Sequence, residues 1–337
     1  MLIFGGNNFD AVNELFSFDL SRREWSRIKP KGSPPSKRYG HVAVSTADDR
    51  MIIFGGFNGT FLDDVHELKF GPDGDAPEWR CVETHGARPS ARDGHSAVMA
   101  PDGVTLLVYG GFDGKDQLGD LYTLDTRTFE WSRLHFMRTD ASPLEGQGSG
   151  PEPATTKADL DDSDDGHEVD AADSTGSPSA ISEPAPRYMH SAVACEGGML
   201  LYGGYLAGGD FANDLWRLTF ETTSEGGDGE AGRSPSLGKP RWTRLEASGE
   251  APLAGFAHAA ASDADGRMWL SGGFGEGSFS NQLHVFEVAK RRWSLVRAHG
   301  RVPSPRHKHT LVSAPEGKLL LFGGADFGQA RGMPRSH

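Results

Sequence analysis

The chain has 337 residues, 36% of them hydrophobic and 45 of them glycine, with a formal net charge of −13. That is enough apolar material for a large core in one domain, and no stretch reads as a membrane-spanning helix or as a basic leader before a long apolar run. The acidity is local: twelve acidic residues and one lysine lie between Thr139 and Pro186, so the remainder is close to neutral and lacks the basic stripe of a nucleic-acid-binding surface.

In chain order, a short apolar run enters a glycine pair six times. LIFGG (2–6) ends in Gly5 and Gly6, and is followed by the alternating segment ELFSFDL (14–20) and by Trp25. His41 then precedes MIIFGG (51–56), with Gly55 and Gly56, and Trp79 follows. His95, LLVYGG (106–111) with Gly110 and Gly111, DLYTLDT (120–126) and Trp131 form the third copy. The acidic segment 139–186 comes next, with four large apolar residues and no aromatic one, too few to offset its ordering entropy, so it is expected to be disordered. The fourth copy holds His190, MLLYGG (199–204) with Gly203 and Gly204, DLWRLTF (214–220), a second polar insertion at 221–240, and Trp242. His258, MWLSGG (268–273) with Gly272 and Gly273, QLHVFEV (282–288) and Trp293 form the fifth. His309 and LLLFGG (319–324), with Gly323 and Gly324, open a sixth that runs into the tail 325–337.

The alternation between glycine pair and tryptophan predicts a half-buried strand, and each full unit reads as four short strands. R-x-x-H, an apolar strand ending in Gly-Gly, an Asp-Leu strand and a Trp strand together resemble the kelch repeat. Glycine pairs are 50, 55, 93, 69 and 51 residues apart, against a kelch period of roughly 50. The two insertions account for the long intervals. The resemblance implies an all-β fold, a β-propeller of about six blade positions, each a four-stranded antiparallel sheet around a central channel. Blades are expected over 1–138 and 187–324. Glycine pairs would allow close backbone approach and the tryptophans would fill the space between blades. The first blade lacks an inner strand and the last lacks its outer pair, which leaves open edges and is expected of a piece of a longer kelch protein or of a truncated gene product.

Kelch loops between second and third strands, and between blades, emerge on one face, where members of the family bind partners. Most inter-blade loops end in arginine: Arg38, Arg92, Arg187 and Arg306, with Gly255 in the fifth blade. Two readings are open. Their guanidinium groups could ring the channel mouth and take carboxylates from an acidic peptide, the tethered segment 139–186 included. Alternatively each could fix its own loop by bonding backbone carbonyls or the acidic residue that opens a third strand, such as Asp64, Asp120 or Asp214. Buried imidazoles bonded to backbone are expected for the five histidines. Ser163, inside DLDDSDDGHE, is a candidate for phosphorylation.

Chemical motifs do not survive inspection. DDSDDG (161–166) has Ala172 where a calcium loop needs glutamate, and GGFGEG (272–277) leads into another strand instead of a helix. Cys81 and Cys195 fall on strands of different blades, which argues against a disulfide framework and for a reducing, cytoplasmic setting. The leading expectation is a non-enzymatic module that binds a protein partner, with no catalytic residue, cofactor or metal. The alternative is an enzyme, since copper oxidases resembling galactose oxidase and metal-dependent, thiohydroximate-processing specifier-like proteins also use kelch propellers.

Overall fold

In the computed structural model, residues 1–71, 75–136, 183–221 and 237–326 are described, and every regular element among them is a β-strand. Five blades succeed one another along the chain. The first has three antiparallel strands, Leu2–Phe4, Leu15–Asp19 and Glu24–Ile28. The second runs from the inner strand Val42–Ser45 through Arg50–Phe54 and Val65–Lys69 to Glu78–Val82. The third repeats that order with Ser96–Met99, Thr105–Phe112, Gln117–Asp125 and Glu130–Leu134, as does the fourth with Ser191–Cys195, Gly198–Tyr202, Leu215–Glu221 and Lys239–Arg244. Ala259–Ser262, Met268–Ser271, Leu283–Glu287 and Arg292–Val296 make the fifth. A hairpin, His307–Ala314 with Lys318–Ala325, occupies a sixth position.

The core lies between blades. Ile52, Ile53 and Phe54 are fully buried in succession because both faces of their sheet are covered, which is why second strands read as unbroken apolar runs instead of alternating ones. One cluster joins Ile52, Phe54, Val65 and Val82 of the second blade to Leu106, Val108, Leu124 and Trp131 of the third. In the first four blades the aromatic residue before the glycine pair meets the tryptophan of the next blade, whereas the fifth has Ser271 in that place: Phe4 and Trp79 at 5.2 Å, Phe54 and Trp131 at 5.0 Å, Tyr109 and Trp242 at 5.2 Å, Tyr202 and Trp293 at 5.2 Å. Phe322 of the hairpin and Trp25 of the first blade make the same contact at 5.0 Å, and it closes the ring. Trp25 is 44% exposed, whereas Trp131 is 1% exposed, because among the described residues no third or outer strand stands beside the hairpin to cover it.

At the first glycine of the pair in the five blades, close approach leaves no room for a side chain. Gly55 has φ +69°, and a Cβ there would fall 2.8 Å from the His95 ring and 2.9 Å from the Arg92 carbonyl of the next blade. Around the channel, the residue before each inner-strand histidine is also left-handed and bonds to its neighbour. Lys308 donates to Ala257, Ala257 to Met189, Met189 to Gly94 and Gly94 to Gly40, over 2.7–3.0 Å. For Met189, Ala257 and Lys308 this conformation costs about 1–2 kcal/mol each, and the encircling bonds hold it.

The structure adds a fifth strand to three of the blades. Residues Lys31–Gly32, His85–Gly86 and Ser248–Gly249 of the inter-blade segments pair in parallel with the outer strands. A Cβ on Gly86 would lie 2.2 Å from the Trp131 carbonyl, and this carbonyl accepts from the Ala87 N–H.

The insertion expected at 221–240 is shorter than that at its ends. Glu221 pairs with Lys239 and Phe220 with Pro240, and a proline is tolerated there because the strand is the outermost of its sheet. Likewise Ala325, placed in the tail by the sequence, ends the last strand. The expectations of disorder at 139–186, of its contact with the arginines and of a phosphosite at Ser163 lie outside the described residues, apart from 183–186.

Candidate functional site

The inter-blade arginines sit at the end of the propeller where second and third strands are joined. Arg38 is wholly buried and its guanidinium group makes five bonds. Nε donates to the Ser36 carbonyl, Nη1 to the Gly55 carbonyl and to Asp64 at 2.6 Å, Nη2 to Ser36 Oγ and to Asp64 at 2.8 Å. Arg92 repeats the set with Ser90, Gly110 and Asp120, again five bonds. Arg187 binds Ala185, Gly203 and both oxygens of Asp214. Each guanidinium thus ties a loop to the carbonyl of a glycine pair and to the residue that opens the third strand. Burial alone would raise the Asp64 carboxyl, but the bonds from Arg38 and His66 outweigh it and hold the group well below the usual carboxylate range. Asp214 is lowered in the same way by Arg187. All five N–H groups of Arg38, and of Arg92, are therefore engaged within the propeller.

The fifth blade has neither partner. Gly255 replaces the arginine and Gln282 the aspartate, and the backbone closes in, so that a Cβ on Gly275 would lie 2.0 Å from the Ala254 carbonyl. Arg306 at the sixth position is different again. Nε donates to the Ser304 carbonyl, Nη1 to the Gly323 carbonyl at 2.7 Å and Nη2 to Ser304 Oγ, but among the described residues no carboxylate meets it. The Asp326 carboxylate accepts from Ser304 Oγ at 2.7 Å instead.

The histidines stand one layer inward. His95, His190 and His258 are buried, and the last two bond to side chains of the preceding blade: His190 Nε2 with Ser96 Oγ at 2.8 Å and His258 Nδ1 with Ser191 Oγ at 2.6 Å. Burial lowers all three imidazoles, His190 to about 3 and His258 to about 4.

Above the arginines the mouth is lined by aromatic rings, which the sequence reading does not single out. The residue after an inter-blade arginine position pairs with the residue after a glycine pair, as in Tyr39 with Phe57 and Phe256 with Phe274. Rings touch from blade to blade without interruption. Tyr39 meets Phe57, Phe57 meets Phe61, Phe61 meets Phe112, Phe112 meets Tyr188, and Tyr188 meets Tyr205, all at 5.0–5.8 Å. Phe211, Phe256, Phe274 and Phe279 continue the belt to His307, which stacks on Phe279 at 4.5 Å. Every one of these rings is partly exposed. Asp93 stands where Tyr39, Tyr188 and Phe256 place a ring in their own blades, the belt passing it through Phe112, and burial pushes its carboxyl up while Lys308 opposes the shift.

The same repeat is recognised across nearly the whole chain. The family model described as the KLHDC2/KLHL20/DRC7 Kelch-repeats domain matches residues 1–150 and 156–332. The chain belongs to the kelch-repeat family. It is similar to serine/threonine-protein phosphatase BSL2 of Arabidopsis thaliana, 31% identical over 64% of this chain and 22% of that protein. Host cell factor 1 of Homo sapiens is 32% identical over 40% of the chain and 7% of its own length. The leucine-zipper-like transcriptional regulator 1 homolog of Drosophila melanogaster is 24% identical over 98% of the chain and 29% of its own length. The kelch chain thus spans less than a third of each of these relatives. Among the described residues no three His, Cys, Asp or Glu side chains converge as metal ligands would.

Proposed function

We propose that this kelch propeller is a protein-interaction module that docks a partner polypeptide on the aromatic mouth of its channel. One observation carries the reading: ten phenylalanine and tyrosine rings and His307 form a continuous, half-buried belt on the loop face. Apolar rings already held by their neighbours lose little freedom when a partner covers them, and aromatic anchors of this kind dominate the energetics of interfaces. The family membership supports the same role.

The recognition chemistry follows from which groups remain available. Engaged guanidinium groups at Arg38 and Arg92 leave no donor for an acidic peptide there, so the mouth selects for apolar and aromatic side chains. A phage-displayed library of random linear peptides, selected on the full chain, tests this. Enriched peptides should carry apolar residues, bind saturably, and weaken on a Tyr39→Ser, Phe211→Ser double variant that melts within a few degrees of the parent. Peptides that bind parent and variant alike, or no enrichment over a scrambled target, would refute it.

A further inference from the structure

Of the five residues that follow the inter-blade arginine positions, Tyr39, Tyr188, Phe256 and His307 carry rings, and Asp93 carries a carboxylate. Tyr188 and Phe256 each bridge two blades. Tyr188 meets Tyr205 of its own blade and Phe112 of the one before, and Phe256 meets Phe274 and Tyr205 in the same way, all at 5.4–5.7 Å. Asp93 keeps the backbone half of this arrangement, exchanging both main-chain bonds with Phe112 at 2.9 and 3.0 Å. By that register a ring at position 93 would join Phe112 to Phe57, and the shorter aspartate fills only part of the space. The second blade makes room for its carboxylate at Gly40, where a Cβ would come 3.0 Å from Asp93 Oδ2.

The carboxylate is half-buried, and among the described residues no donor meets it. The guanidinium groups of Arg38 and Arg92 are spent on Asp64 and Asp120. The exposed Lys308 ammonium acts on Asp93 from the sixth position without forming an ion pair among the described residues. Burial, Tyr205 and the Asp93 charge together raise the Tyr188 phenol, so carboxylate and ring lie within electrostatic reach of each other.

The geometry points to a notch at Asp93 that takes a basic side chain, lysine or arginine, from the polypeptide docked on the mouth and so sets its specificity. This inference rests on the reading of the mouth as a docking face and adds a charge requirement to it. A cation that enters between the rings gains an ion pair with a carboxylate already partly out of water, and the ring faces attract it as well. An apolar side chain in the same place would strip the carboxylate of its remaining water and leave it unpaired, which discriminates against wholly apolar partners. The chain's own insertion is a poor occupant, since between Thr139 and Pro186 one lysine stands against twelve acidic residues.

The test selects one phage-displayed library of random linear peptides in parallel on the full chain and on an Asp93→Asn variant. Asp93 accepts no bond from the fold, so the variant should melt with the parent; Asp93→Ser gives the same comparison should Asn alter the melting temperature. Both selections should enrich apolar residues, and only the parent should enrich lysine or arginine at a fixed offset from them. In a parent-selected peptide, replacing that basic residue with norleucine should weaken binding to the parent about tenfold or more, while both peptides bind Asp93→Asn alike. Lys308→Gln removes a competing cation, and should tighten the basic peptide several-fold and leave the norleucine peptide unchanged. Apolar enrichment without a basic bias, or the same norleucine penalty on parent and Asp93→Asn, would overturn this inference and leave aromatic docking standing. No enrichment on either protein would overturn both. A several-fold gain for the basic peptide on an Arg331→Gln, Arg335→Gln variant would also overturn it, by assigning the notch to the chain's own tail.

Discussion

Replacing Arg92 with leucine separates a structural arginine from a ligand-binding one. The side chain is fully buried and supports the Ser90 loop, the Gly110 carbonyl and Asp120, whose own side chain is 15% exposed. Leucine would leave that carboxylate and that carbonyl without donors, and removing one partner of a buried pair costs about 3–5 kcal/mol. For a domain of this size the loss corresponds to a fall of roughly 10 °C in melting temperature. The double variant Arg92→Leu, Asp120→Leu removes the orphaned charge as well and should regain more than about 1 kcal/mol of the loss. Arg306→Leu, with three neutral acceptors and no carboxylate partner among the described residues, should cost no more than about 1 kcal/mol. Urea denaturation followed by circular dichroism gives all three numbers. If Arg92→Leu cost as little as Arg306→Leu, the guanidinium would not be holding the blade, and a clamp for an incoming ligand would again explain the arginines better.

Two further outcomes are expected. Trp131→Ala should destabilise by about 3–5 kcal/mol and Trp25→Ala by about 1 kcal/mol, since the first is enclosed against Phe54 and the second is 44% exposed; equal losses in urea midpoints would contradict inter-blade packing as the source of stability. Stability should also fall between pH 6.5 and 4.5. Burial keeps His95, His190 and His258 neutral in the fold, while the unfolded imidazoles take up protons near pH 6.5, so their contribution is whole above that pH and is lost as pH approaches 4. Three such groups give a slope of up to about 4 kcal/mol per pH unit near pH 5. A urea midpoint that stays level from pH 7 to pH 5 would show that the rings are solvated or already charged.

The blades were legible in the sequence because glycine pair, histidine and tryptophan are each demanded by a local contact repeated in every unit. Gly55 has no space for a Cβ, and Trp131 fills a gap that Phe54 defines. The sequence also contained the means to choose between the two readings of the arginines. Arg38 and Asp64, Arg92 and Asp120, and Arg187 and Asp214 are 26 to 28 residues apart, and the fifth blade loses both members together as Gly255 and Gln282. A ring that captured outside carboxylates would give the aspartate no reason to vanish with the arginine. The strand added at His85–Gly86 had a signal too, a glycine three residues before a proline and six before the arginine, seen at Gly32, Gly86 and Gly300. The aromatic belt was harder to find for a physical reason. Tyr39, Phe61 and Phe112 are far apart along the chain and follow no short period, and they become one surface only when successive sheets are set around an axis. Contacts within a blade therefore leave a periodic trace, whereas a surface assembled from one residue per loop leaves almost none. That difference is why the scaffold could be read from the repeat while the face it presents had to be taken from the fold.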